Sequence, residues 1–217
     1  MSFAITIENV NKTFGEKTVL SNINIEFEKG KVHGLIGRNG SGKTVLMKCI
    51  CGFVPISLGL ITINGEKMKK VFDTPKDLGI IIETPGFLPS YSAYKNLKFL
   101  ADIKGKISKE QICNSIKQVG LNPNSKKAVG KYSLGMRQRL GLAQAIMENP
   151  DLLILDEPMN GLDKDGVADM REYLLQLKEQ GKTILIASHS AEDIEILCDT
   201  VCEMDKGGLT KIRGFNI

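Results

Sequence analysis

Residues Tyr132–Asp163 read YSLGMRQRLGLAQAIMENPDLLILDEPMNGLD. The stretch opens on a Ser-x-Gly loop, Ser133-Leu134-Gly135, that runs into a basic helix. It closes on an apolar strand, Leu152–Leu155, that delivers two adjacent carboxylates, Asp156 and Glu157. An aspartate at the end of a buried strand is placed to hold a nucleotide-bound Mg²⁺. A second carboxylate beside it can polarise an attacking water as a general base. Both roles require a phosphate site elsewhere in the chain.

That site lies upstream. Gly37-Arg38-Asn39-Gly40-Ser41-Gly42-Lys43-Thr44 matches G-x-x-x-x-G-K-[ST], between a strand (Lys31–Ile36) and a helix (Val45–Phe53) that ends near Gly52 and Pro55. Glycines let the backbone wrap phosphates with its N–H groups, and the helix N-terminus adds a positive dipole. Lys43 is expected to reach the β- and γ-phosphates and Thr44 to ligate Mg²⁺ through its hydroxyl. His189 follows a second apolar strand, Thr183–Ala187, and ligands gather at the carboxyl ends of parallel strands. There it can donate to a γ-phosphate oxygen and act in turnover. His33, inside the strand before the loop, reads as structural.

Outward from these motifs the patterning changes. Phe3, Ile5 and Ile7, then Ile23, Ile25 and Phe27, alternate with polar residues, the mark of half-buried antiparallel strands. Leu60–Ile63 with Asn64-Gly65 reads as a strand and turn, and Leu78–Glu83 as another strand. A loop over Thr84–Ser90 follows, and the pattern is helical from Ala93 to Glu148, with breaks at Gly105 and near Asn122-Pro123-Asn124. A helix around Val167–Gln180 separates the last two apolar strands. Strand-rich ends thus enclose a helical insertion.

Composition excludes several classes. With 42% apolar and 25% charged residues the 217-residue chain is ordinary for a globular protein. A net charge of +4, spread along the chain, gives no case for a nucleic-acid partner. No apolar run is long enough to span a membrane, and MSFAITIENVNKTF lacks the layout of a secretory signal. The five cysteines show no zinc-ribbon spacing, and Cys198 and Cys202 would share a face if both lay on one helix. They read as reduced core residues in a cytosolic protein.

The chain resembles the nucleotide-binding subunit of an ATP-binding cassette (ABC) transporter from about residue 3 to 205, with the motifs in the family's order: 37–44, Glu83, 132–136, Leu153–Pro158, Asn160–Asp163 and His189. The resemblance implies one α/β domain over 1–217. This would be a P-loop NTPase (RecA-like) core with an N-terminal antiparallel β-subdomain (about 1–83 and 149–217) and an inserted α-helical subdomain (about 84–148). It implies ATP and Mg²⁺ as cofactors. Two ATPase subunits, as a homodimer or a paired set, would sandwich ATP between the P-loop of one and Ser133 and Gly135 of the other, with Asp163 at the seam. Phe14 would stack under adenine.

Two positions depart from the family pattern. The usual Leu-Ser-Gly-Gly-Gln loop stands here as Tyr132-Ser133-Leu134-Gly135-Met136, and taken alone Ser-x-Gly is equally a helix N-cap. Glu83 stands where a glutamine is usual; a carboxylate there can ligate Mg²⁺ or touch the water, at the cost of added negative charge. These features look like the bacterial subgroup that exports, or confers immunity to, peptide antibiotics such as bacitracin and lantibiotics. The implied role is an ATP-hydrolysing subunit on the inner face of the cell membrane, working with separate integral membrane subunits. The alternative is a soluble ATPase of the same fold in regulation, repair or translation. A further option, an interaction module with a dead nucleotide site, is opposed by Lys43, Asp156 and Glu157.

Overall fold

The computed structural model describes residues 2–68, 75, 77–83, 86–105 and 107–214. The chain begins with two long strands, β1 (Phe3–Phe14) and β2 (Lys17–Glu28), then β3 (Val32–Ile36), helix α1 (Lys43–Ile50), β4 (Leu58–Ile63) and β5 (Glu66–Lys67). After β6 (Leu78–Ile81) come three helices, α2 (Ala93–Lys104), α3 (Lys109–Gln118) and α4 (Leu134–Ile146). The remainder alternates: β7 (Leu152–Asp156), α5 (Lys164–Glu179), β8 (Thr183–Ala187), α6 (Ala191–Leu197), β9 (Thr200–Asp205) and β10 (Gly208–Arg213).

These strands form an antiparallel sheet of order β2-β1-β4-β5 and a six-stranded sheet of order β10-β9-β3-β8-β7-β6. The expected alternation holds in β2, where Ile23, Ile25 and Phe27 are buried and Asn24 and Glu26 are exposed. In the second sheet β3 pairs in parallel with β8 and β9, and β7 with β6 and β8. β7 and β8 are buried along their whole length, as strands covered on both faces must be.

Side-chain alternation divides the core. Leu152 and Ile154 face one cluster with Leu46, Met47 and Phe27, beneath α1 and the antiparallel sheet. Leu153 and Leu155 face the other, with Leu97, Ile116, Leu140 and Leu174 of the helices. Truncating any of these large side chains to alanine should cost about 2–5 kcal/mol. Because β8 lies between β3 and β7, the loops after all three emerge side by side. The sheet order therefore brings together Gly37, Asp156 and His189 from distant parts of the sequence.

Several expected boundaries move. The strand after Leu78 ends at Ile81, leaving Glu83 in a bend; α1 runs over Lys43–Ile50 and not to Phe53. α5 starts at Lys164, earlier than the apolar pattern alone indicated, because Asp163 caps it. Cys198 and Cys202 do not share a helix: Cys198 ends α6 and Cys202 lies in β9. Burial pushes both thiols up to about 12, so they are inert core groups. Thr84 and Pro85, in the loop expected over 84–90, lie outside the described residues. Among the described residues no helix is long and apolar enough to cross a membrane.

Candidate active site

β3 delivers the chain into Gly37–Gly42, and steric demand explains two of the glycines. Gly37 has φ +138°, and a Cβ there would stand 2.2 Å from the Met204 carbonyl oxygen. Gly42, at φ +115°, would press a Cβ to within 3.1 Å of the Val19 carbonyl. Gly42 also precedes α1, so the helix begins with no side-chain cap and no acidic residue in its first turn. Its first N–H groups and its positive end are left for an anion.

The side chains around this helix end are already arranged. The buried Lys43 ammonium donates to the carbonyls of Gly37 (2.5 Å) and Arg38 (3.2 Å), folding back over the loop. The Ser41 hydroxyl is buried, with no hydrogen-bond partner among the described residues. The Thr44 hydroxyl donates to Asp156 Oδ2 at 2.7 Å, joining the start of α1 to the end of β7. The two present hard oxygen donors side by side, the chemistry that Mg²⁺ accepts. Among the described residues no three His, Cys, Asp or Glu side chains gather into a metal cage.

Glu157 follows at φ +51°, a left-handed conformation that costs a non-glycine residue about 1–3 kcal/mol. Its N–H donates to the Ala187 carbonyl at 3.0 Å, which ties it to the end of β8. One carboxylate oxygen, Oε2, accepts from the His189 backbone N–H at 3.4 Å. His189 Nε2 stands 3.3 Å from the other oxygen, yet without hydrogen-bond geometry, so Oε1 is buried with an unused acceptor. Burial raises the Glu157 carboxyl above the usual carboxylate range; the nearby imidazole and N–H of His189 oppose the shift without cancelling it. A carboxylate raised in this way is a better proton acceptor.

A cavity of about 340 Å³ is lined by Arg38, Asn39, Gly40, Lys43, Thr44, Asp156, Glu157 and His189, among others. A larger groove, about 1010 Å³, shares Asn39, Glu157 and His189 and continues along Asn160–Leu162. One chain thus gathers Lys43, Thr44, Asp156, Glu157 and His189 around one space.

Other expected site residues lie apart or hold local roles. Ser133 caps α4, its hydroxyl accepting from the Met136 N–H at 3.1 Å. Gly135 packs against Gly161, where a Cβ would lie 2.8 Å from the Gly161 carbonyl oxygen. Its lack of a side chain is therefore required within the chain itself. Asp163 caps α5, accepting from the Gly166 N–H at 2.9 Å. Phe14 closes β1 with its ring 48% exposed and the Lys12 ammonium 4.4 Å from the ring centroid, so it does not cap the core. Glu83 has φ +60° and pairs with Lys48 Nζ at 2.6 Å, one turn along α1 from Thr44.

Sequence reading missed Lys48 and Gln138. Gln138 sits in the buried stripe Gly135, Gln138, Leu142, Ala145 of α4, and its amide donates to the Glu157 carbonyl at 3.2 Å. A polar residue on an apolar helical face was the available signal.

The profile of the ABC transporter family matches residues 20–160. The chain belongs to the ABC transporter family. This ABC transporter chain is 48% identical over 205 residues to an uncharacterized ABC transporter ATP-binding protein, YybJ, of Bacillus subtilis, with 94% of each covered. It is 43% identical over 213 residues to the bacitracin transport ATP-binding protein BcrA of Enterococcus faecalis, covering 97% of this chain and 69% of that one. Its fold matches the dimeric ATP-binding cassette MJ0796 bound to ADP and Pi with a TM-score of 0.86 at 20% identity, over 98% of this chain and 100% of that one. The likeness to BcrA agrees with the subgroup that Glu83 and the altered signature loop indicated.

Proposed function

We propose that this ABC ATPase hydrolyses ATP at the Lys43–Glu157 site to drive separate membrane subunits that move a peptide antibiotic or another exported compound. The observation that carries the reading is Glu157 Oε1, a buried acceptor without a donor among the described residues, in the cavity lined by Lys43, Thr44, Asp156 and His189. Triphosphate would lie on the Gly37–Gly42 backbone and the open end of α1, with Lys43 turning from the Gly37 and Arg38 carbonyls onto phosphate oxygens. Magnesium, when bound, screens the phosphate charge; Thr44 and Asp156 would hold it, and Glu83, now paired with Lys48, is a further candidate ligand. Glu157 takes the proton of the attacking water, and His189 donates to the γ-phosphate.

Ser133 and Gly135 would serve a second copy's nucleotide, and Asp163 would line the seam. The division into a core and β-subdomain (about 1–83 and 149–217) and a helical subdomain (about 84–148) then has a purpose, since one part binds the chain's own ATP and the other its partner's. The working place is the inner face of the cell membrane, on the membrane subunits.

Glu157→Gln tests the reading. It should keep ATP affinity, lose about 100-fold or more of kcat, and accumulate an ATP-bound dimer on size exclusion. Wild-type hydrolysis by that variant would remove Glu157 as the base. Recovery of the chain only with ribosomes or DNA, and never with solubilised membrane subunits, would refute the transport role.

A further inference from the structure

The helix that begins at the signature loop grips the segment carrying the chain's own carboxylate. Gln138 of α4 is 6% exposed, and its amide donates to the Glu157 carbonyl at 3.2 Å. Gly135 packs so closely on Gly161 that a Cβ would meet its carbonyl oxygen at 2.8 Å. One helical turn from Gly135, Arg139 pairs with Asp169 of α5 at 2.9 Å. Three points of α4, Gly135, Gln138 and Arg139, thus hold the segment 157–169.

The first of these points bears on the reacting atoms. Glu157 has φ +51°, a conformation that persists only when its surroundings over-determine it. Its N–H is held by Ala187, while its carbonyl accepts from the Asn160 N–H at 3.1 Å and from Gln138. The two peptide planes fix the Cα–Cβ direction, and with it the place of the carboxylate. Asn160 supplies only a local turn bond, so Gln138 is the donor that ties this carbonyl to another element.

We propose that Gln138 is a positioning residue that aims Glu157, and that it carries engagement of a partner's nucleotide at the start of α4 to this chain's own hydrolytic centre. The inference rests on the reading of Glu157 as the base and of Ser133–Gly135 as facing a second copy. Gln138 does not line the cavity at Lys43 and Glu157 or the adjoining groove; it acts through the Glu157 main chain. Two ATP sites in a dimer would then be linked by a contact inside each protomer, five residues from its signature serine.

Gln138→Met removes the donor while keeping length and helix preference. With an unchanged melting midpoint, the variant should bind a non-hydrolysable ATP analogue within about twofold of wild type and lose about tenfold in kcat, since small misplacement of a catalytic group is costly. ATP-driven dimerisation in the Glu157→Gln background should survive the added substitution. Unchanged kcat overturns the proposal, and so does an equal loss of affinity and kcat with a lowered melting midpoint, which marks a mere packing role. If Gln138→Met does not fold, NMR of the unmodified protein decides. Slow exchange of the Gln138 side-chain amide protons, with a shift on ATP addition, supports the tie; exchange as fast as in a free glutamine refutes it. Full activity of Glu157→Gln would instead defeat the base assignment, and an inactive Glu157→Gln beside a fully active Gln138→Met defeats only the role of Gln138.

Discussion

The two halves of the nucleotide site are in different states of readiness. Around Gly37–Thr44 the groups that would meet ATP are poised: Lys43 folds over the loop on two carbonyls, Thr44 is bonded to Asp156, and Glu157 keeps a buried oxygen unused. Around Ser133–Gly135 the corresponding groups are engaged in holding the fold, the serine as a helix cap and the glycine as a contact for Gly161. Polar groups that must wait for a ligand are stable where exchangeable partners stand in. Lys43 and Thr44 have such partners, and Ser133 has an N–H that it can share. On the proposed reading, the first half would bind nucleotide alone, and the second would contribute once another copy arrives.

The largest expected effect lies in the first half. Lys43→Met removes two charge-assisted donors and should weaken ATP binding by about 100-fold in isothermal titration, at about 1.5–3 kcal/mol for each hydrogen bond to a charged group. Near-native affinity in that variant would mean that the loop backbone and α1 do the binding and that the lysine is only a clasp for Gly37 and Arg38.

Ser133→Ala probes the other half. Loss of the cap should lower stability by about 1 kcal/mol. ATP affinity of the single chain should stay the same, while ATP-driven dimerisation and kcat fall, by about tenfold if one hydrogen bond to the γ-phosphate is lost. A change in single-chain ATP affinity would break the comparison, because the serine would then serve its own site.

Glu83 sits between these cases. If Glu83 stands beside a bound triphosphate as proposed, its pairing with Lys48 would offset the added negative charge, with the cation supplied from α1 itself. The pair is exposed, so breaking it should cost no more than about 1 kcal/mol of stability. Glu83→Gln should instead alter the Mg²⁺ concentration for half-maximal ATPase activity by a few-fold and leave Lys48 free. If turnover, Mg²⁺ dependence and transport all stay as in the wild type, Glu83 is only a solvated residue after β6.

How much of this could be read from sequence follows the reach of each contact. Gly37–Thr44 is a local pattern, and the buried run Leu152–Leu155 announces the strand that ends in Asp156 and Glu157. Both were legible because short-range geometry dictates them. Gln138 with Glu157, Lys48 with Glu83 and Gly135 with Gly161 are pairs between separate elements. Nothing in the local pattern of one names the other. The two ends of α5 teach the same lesson: apolar spacing gave its middle, and a cap, Asp163, set its start. Ser133 remained ambiguous since a cap and a phosphate donor need the same hydroxyl at the same helix end, and a single chain displays only the cap.

The smallest expected effect separates the halves by pH. His33 lies in β3, four residues before Gly37, with Nδ1 2.7 Å from the Thr200 hydroxyl and Nε2 2.8 Å from the Glu28 carbonyl. A carbonyl only accepts, so Nε2 carries the proton and the neutral ring takes the Thr200 hydroxyl as donor to Nδ1. Burial lowers the His33 pKa below its ordinary 6.5, so the unfolded chain takes up this proton first as pH falls. The stabilisation from a neutral His33 is full above about pH 6.5 and is lost as pH falls through the lower folded value. The melting temperature should drop by a few degrees between pH 7 and pH 5, and His33→Gln should flatten that slope. Hydrogen exchange at pH 5.5 should loosen β3 and the Gly37–Gly42 loop before α4, whose buried Gln138 has no proton to gain. Uniform loosening of both regions would show that the halves of the site share one stability, and that their difference lies only in which side chains are free to bind.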